Sequence, residues 1–260
     1  MDQLYKTLLT VLFTLILPIS LWGQDDAREI FTRATDQMLT ENMEIALEMD
    51  ITDKKGRTKV KGYEILMGRV GDVEKTKMSF QKPEQAKGTT VIITKHPGET
   101  GLIEVYTPAN GKIRKLKATP DNMDIVGSEV QITSMTARDP DELVFLFLPP
   151  QEIDGKNCYT VVVKDKEFKD QARGELSIEM DSYHIVQISV FDMYGKQTSL
   201  VKLSDFKTVP GAGQKIQPRH IITEDLKNQK ITDMRVLKVA SRTDLSEADF
   251  KLPVPQDDVK

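Results

Sequence analysis

Three histidines, one cysteine and two small groups of acids are the residues of this chain whose types could do chemistry. His96, His184 and His220 could act as bases or metal ligands, and Cys158 as a nucleophile. None of the histidines has another His or Cys nearby in the sequence, and Cys158 is the single cysteine in 260 residues. Each histidine is therefore read as a turn or sheet-face residue. Cys158, inside the strand-like run Asn157-Cys158-Tyr159-Thr160-Val161, is read as a small buried apolar side chain. Asp121-Asn122 with Asp124, and Asp139 with Asp141 and Glu142, could offer oxygens to calcium, but neither set has the spacing of a known loop. No Gly-x-Ser-x-Gly, His-Glu-x-x-His or Gly-rich phosphate loop occurs. The expectation is a protein that is not an enzyme and holds no cofactor and no metal.

The elements around these residues are mostly strands. Met43, Ile45, Leu47, Met49 and Ile51 alternate with Glu44, Glu48 and Asp50, the pattern of a strand with one buried face. About eleven such segments run from Met43 to Val239, separated by turn signals such as Gly71-Asp72, Pro97-Gly98, Asn110-Gly111 and Tyr194-Gly195. Helix is scarce. Asp26 to Asn42 places Ile30, Phe31, Ala34, Met38 and Leu39 on one stripe, which predicts an amphipathic helix. The stretch 119–150 lacks alternation, and there Asp139-Pro140-Asp141-Glu142 reads as a helix start leading into Leu143 to Leu148. That apolar run could be a helix turn or a core strand, because periodicity does not separate the two. A large sheet with so little cover must pack on itself, close into a barrel or enclose something.

Length, charge and ends narrow the class. Strand spacing near 8 to 12 residues with no dividing tract favours one all-β domain. The 36 basic and 40 acidic residues are mixed along the chain, so no basic stripe marks a nucleic-acid partner. Lys6, the apolar run Leu8 to Trp22 and small Gly23 read as a secretory signal peptide, residues 1–23, ahead of a single domain, residues 24–260. The run is too short and too interrupted, by Pro18, to be read as a span. No Cys follows it for lipidation, so the expected location is the periplasm, as a soluble monomer. Eleven methionines, several on predicted strands, fit either a pliable apolar surface or ordinary packing.

The order of several short stretches resembles the outer-membrane lipoprotein-sorting family, the LolA-like exported carriers. These are Pro83-Glu84-Gln85-Ala86-Lys87-Gly88-Thr89, Tyr106-Thr107-Pro108-Ala109-Asn110-Gly111-Lys112-Ile113-Arg114-Lys115, Gly127-Ser128-Glu129, Gly155-Lys156-Asn157-Cys158-Tyr159, Phe191-Asp192-Met193-Tyr194-Gly195-Lys196 and Phe250. Around the Gly-Ser pair the chain departs from such proteins, with Ile125-Val126 before it and Val130-Gln131-Ile132-Thr133 after. The resemblance implies a mainly β fold, an open antiparallel half-barrel of about eleven strands with a few helices across its concave face. It also implies an apolar cavity for acyl chains of lipoproteins or other lipids, with inner- and outer-membrane transport proteins as further partners. On this reading Phe31, Met38, Met43, Ile45, Leu47, Met49, Ile65, Met67, Met78, Phe80, Val91, Ile93, Leu143, Phe145, Leu146 and Phe147 line the cavity. The Phe31 to Leu39 stripe and the Leu143 to Leu148 segment serve as gate and lid. The competing expectation is an envelope protein-binding or sensor domain with a packed core and no lipid cargo.

Overall fold

The computed structural model describes residues 24–38, 41–118, 140–166 and 173–253. The leader expected at residues 1–23, Leu39, the oxygen-bearing residues Asp121, Asn122, Asp124 and Asp139, and the Gly127-Ser128-Glu129 stretch lie outside these. Among the described residues there is one α-helix, α1 (Gln24–Asp36), and two 3-10 turns, Glu84–Ala86 and Pro140–Glu142.

Thirteen strands, two more than the sequence count, form one antiparallel sheet. The first six are β1 (Met43–Thr52), β2 (Thr58–Val70), β3 (Val73–Lys82), β4 (Thr90–Lys95), β5 (Leu102–Thr107) and β6 (Lys112–Lys117). Then come β7 (Leu143–Ile153), β8 (Lys156–Asp165), β9 (Arg173–Glu179), β10 (Ile185–Phe191), β11 (Gln197–Thr208), β12 (Ile216–Asp225) and β13 (Lys230–Ser241). Their spatial order is β6-β5-β4-β3-β2-β1-β13-β12-β11-β10-β9-β8-β7. This is an up-and-down meander in which β13 pairs with β1, so the ring would be complete if β6 met β7. Among the described residues those two strands instead form the edges, and the sheet is open.

Edge position explains the β7 sequence. Leu143 to Leu148 is a strand rather than a helix, hydrogen-bonded to β8 along its length. The register slips between Leu148 and Gln151, at Pro149-Pro150. Prolines cannot donate to a ladder and are tolerated on an edge strand or at a bulge; here they meet both conditions. At the opposite edge, Lys112, Arg114, Lys115 and Lys117 stud β6, a charge pattern that discourages a further strand from pairing.

Alternation sends the apolar side chains to one face. Cross-strand partners Ile45, Ile65, Met78, Val91 and Val105 form a continuous row across β1 to β5, and Met43, Met67, Ile93, Ile103 and Leu116 share the row beside it. Leu47 pairs with Tyr63, whose ring meets Phe80 edge-on at 4.8 Å. Each such buried side chain contributes about 1.5–3 kcal/mol by leaving water. The opposite, outer face carries the charges. Glu44 meets Lys238 and Arg242, Glu48 meets Lys82, and Asp50 meets Arg235. Residues 242–250 then cross the outer face of β1 to β3, with Lys75 on Glu247 and the Lys77 ammonium donating to the Asp249 carbonyl at 3.0 Å.

Helix α1 stops at Asp36, short of the Asn42 expected from its stripe. Tertiary contacts take over the backbone there. The Ile216 N–H donates to the Gln37 carbonyl at 2.8 Å, the Lys215 ammonium donates to the Asp36 carbonyl, and Met38 bridges Ile216 in parallel. The Gln37 side-chain amide donates to the Tyr183 carbonyl at 2.6 Å. The last turn of the helix is thereby tied to both the β9–β10 and β11–β12 turns.

Candidate functional site

Two packed clusters occupy the inner face, defined as the face that α1 covers. One spans β1 to β5 and β13, and includes Met43, Ile45, Leu47, Met49, Ile65, Met67, Met78, Phe80 and Val91, with Ile93 at its margin. The other joins Ala27, Ile30, Phe31 and Ala34 of α1 to Leu143, Phe145, Val161, Leu176, Ile178 and Ile185, with Met38 and Phe147 at its margin. Phe31 and Phe145 set their rings 5.0 Å apart. Among the lining residues expected from the sequence, all but Leu146 therefore sit in these clusters. Leu146 points to the outer face and is 49% exposed, because it pairs with Val162 while its neighbours Phe145 and Phe147 pair with Val163 and Val161. With the Leu143 to Leu148 segment built into the sheet, that segment is not a lid.

The register shows that both clusters share one face. Met49 pairs with Met234, Met234 with Ile221, and Ile221 with Leu203. Two residues along β11, Val201 pairs with Ile188, Ile188 with Leu176, Leu176 with Val161, and Val161 with Phe147. Between the clusters lies an apolar strip made of Ile188, Val201, Leu203, Ile221 and Met234. All five are half-buried, unlike the fully buried residues on either side. Burial is incomplete along this strip, as it is at the cluster margins, where Met38, Ile93 and Phe147 are also half-buried. Further apolar contact there would be favourable by about 0.8 kcal/mol per methylene group covered, and the flexible thioether of Met234 suits an irregular chain.

A cleft of about 790 Å³ with mostly polar lining opens between the solvent-facing side of α1 and the β11–β12 turn. Arg28, Glu29, Thr32, Arg33, Asp36 and Gln37 form the helix wall; Ala212, Gln214 and Lys215 form the other. The helix wall is the polar half of the same periodicity that buries Ile30, Phe31 and Ala34. Arg28 pairs with Asp141, while the Arg33 guanidinium lies 3.7 Å above the Tyr183 ring.

The residues first considered for chemistry are dispersed. His96 is exposed in the β4–β5 turn. His184 stacks on Phe206 at 4.2 Å, and burial, more than the opposing Glu179, holds its pKa below the usual value. His220 contacts Asp233 at 3.0 Å on β12. Cys158 is fully buried, and burial followed by the Glu179 charge pushes its thiol pKa up, which disfavours the reactive thiolate. No group of three or more His, Cys, Asp or Glu among the described residues could hold a metal ion.

Residues 72–253 match a protein-family model whose description is "Uncharacterized protein". The chain belongs to that family. Among solved structures it is similar to a DUF1329 family protein from Desulfovibrio piger, at 15% identity and a TM-score of 0.73, over 88% of this chain and 97% of the other. It is similar also to a domain from Vibrio parahaemolyticus described as an outer membrane lipoprotein-sorting protein, at 14% identity and a TM-score of 0.71, with the same coverage of 88% and 97%. A LolA superfamily protein from Nitrosomonas europaea matches at 14% identity and a TM-score of 0.65, over 86% of this chain and 97% of the other. No curated protein matches the sequence. At such identities the likeness is one of fold: this chain has an open, LolA-like half-barrel. The resemblance read from short, ordered motifs is thereby borne out at the level of architecture.

The strip itself was not singled out by the sequence. Its residues fall in segments that read as ordinary alternating strands, and alternation assigns a face without saying how completely that face is covered.

Proposed function

We propose that this protein is an exported carrier that holds the acyl chain of a lipoprotein or another lipid along the inner face of its open sheet. The carrying observation is the half-buried strip Ile188, Val201, Leu203, Ile221 and Met234 between two packed clusters. An acyl chain laid across it would replace water along several methylenes, and the polar cleft lined by Arg28, Arg33 and Lys215 would face the end of the cargo that stays hydrated. The likeness to lipoprotein-sorting and LolA superfamily folds supports the same reading. In this account no residue does covalent chemistry. The N-terminal apolar run is a leader removed on export, residues 24–260 act as one periplasmic domain, and membrane transport proteins load and unload the cargo.

The expected cavity lining is revised in one respect. The clustered residues Met43 to Met49, Met67 and Phe80 act as rigid walls, and β10 to β13 supply the contact surface. Native mass spectrometry of protein purified from its own envelope checks the proposal: it should find bound lipid, and fluorescent fatty-acyl probes should compete with that lipid. A protein that is reproducibly empty and binds no such probe would overturn it.

A further inference from the structure

Three hairpin tips stand side by side at one end of the sheet. Strands β2, β1, β13, β12, β11 and β10 are consecutive neighbours, and the turns β1–β2, β12–β13 and β10–β11 all leave from the same end, where Thr52 pairs with Ile231 and Ser199 with Asp225. At a strand spacing of about 4.8 Å, six strands make a rim about 24 Å wide. The Leu226 N–H donates to the Thr198 carbonyl at 3.0 Å and ties two of the tips together.

Two of these turns are built alike. In Asp53-Lys54-Lys55-Gly56-Arg57 the Asp53 carboxylate accepts from the Lys55 and Arg57 N–H groups at 2.8 and 3.1 Å, with Gly56 at φ 75°. In Asp192-Met193-Tyr194-Gly195-Lys196 the Asp192 carboxylate accepts from the Tyr194 and Lys196 N–H groups at 3.0 Å each, with Gly195 at φ 76°. The Gly N–H donates to the Asp carbonyl in both, and the Asp N–H to the carbonyl of the closing cation. In the third tip the Asp225 carboxylate likewise accepts from the Lys227 and Asn228 N–H groups. The acids and glycines therefore hold the turns, and the two residues after each Asp contribute only backbone to that geometry.

Those free positions are filled by side chains that a solvated turn does not need. Tyr194 is 85% exposed, Met193 63% and Leu226 42%. Beside them the β1–β2 tip and the first residues of β2, 53–59, carry Lys54, Lys55, Arg57 and Lys59 against the single carboxylate of Asp53, in a chain whose net charge is -4. An amphipathic aromatic, two flexible apolar side chains and a local excess of cations form the pattern of an interfacial anchor.

We propose that this rim docks the protein onto an anionic lipid surface, with Met193, Tyr194 and Leu226 entering the headgroup layer and the lysines of the β1–β2 tip facing lipid phosphates. Docking is separate from the carriage of cargo on the inner face and stands without it, although it would bring a carrier to the membrane where cargo is exchanged. Flotation of the protein, purified from the envelope of a host that exports it, with vesicles of phosphatidylethanolamine and phosphatidylglycerol checks the proposal. Binding should be clear there, weaker on phosphatidylcholine vesicles, and reduced by added salt. Met193→Ser with Tyr194→Ser, and Lys54→Glu with Lys55→Glu, should each weaken it by about tenfold or more, with thermal unfolding and lipid content by native mass spectrometry unchanged. The proposal is overturned if the unaltered protein stays off the anionic vesicles, if it binds phosphatidylcholine equally well, or if both variants float as it does. Loss of a protein partner in these variants, without any vesicle binding by the unaltered protein, would also overturn it and assign the rim to protein contact. A protein that floats but carries no lipid would refute the carrier and leave the docking rim standing.

Discussion

Changing Leu47 and Leu203 separates the packed walls of the inner face from its proposed contact surface. Leu47 is 1% exposed within the β1 to β5 cluster, opposite Tyr63 on β2 and Val236 on β13. Leu47→Ala removes three buried carbons and leaves a cavity, a change that costs about 2–5 kcal/mol in such cores. Leu203 is half-buried at the centre of the strip, so Leu203→Ala forfeits a fraction of the transfer free energy and creates no closed void, at about 1 kcal/mol. Acyl binding should show the reverse order. Leu203→Asp would place a carboxylate where two or three methylenes are proposed to lie, a loss of about 2 kcal/mol or roughly thirtyfold in Kd. Leu47→Ala should leave the Kd of the folded fraction unchanged. Urea unfolding followed by far-ultraviolet circular dichroism gives the first quantity, and titration with a fluorescent fatty-acyl probe at low urea gives the second. The reasoning fails if Leu203→Asp binds the probe like the unaltered protein, or if Leu47→Ala weakens binding by the larger factor.

Three further outcomes are expected. The buried Cys158, with its thiol pKa pushed up by burial, should react with a thiol reagent only on unfolding, so labelling of this single cysteine should report the global opening rate; rapid labelling of the native protein would contradict its placement. Gly68→Ala should cost about 1–3 kcal/mol in urea unfolding, because the new methyl would sit 3.2 Å from the Asn42 Cα and run into the Leu245 side chain that crosses the outer face; an unchanged midpoint would show that residues 242–250 give way. Burial holds the folded His184 pKa below 6.5, so below that pH the unfolded chain binds a proton that the folded chain resists. Stability should fall as pH drops through about 6.5, and a His184→Phe variant should flatten that part of a melting-temperature profile.

Particular elements show why some of this was legible in advance. The strict alternation of Met43 to Ile51 fixed both the existence of β1 and its buried face, because side chains two apart must share a face. Turn chemistry did the same for the hairpins at Asn110-Gly111 and Tyr194-Gly195, where a positive φ at Gly111 and Gly195 is part of the turn. The stripe through Ile30, Phe31 and Ala34 gave α1 and its packed side. Leu143 to Leu148 stayed ambiguous because an apolar run without alternation is compatible with either period, and pairing with β8 decided it. The end of α1 was equally beyond local pattern, since contacts with the β9–β10 and β11–β12 turns replace its last hydrogen bonds.

The sequence by itself determined that this is a mainly β chain with one charged and one apolar face. Those properties follow from local periodicity and turn residues. Only the tertiary structure decided that β13 pairs with β1 while β6 and β7 do not meet, and that five half-buried apolar residues line up across β10 to β13. Cover is a property of what lies opposite a residue across the fold, and no spacing along the chain encodes it.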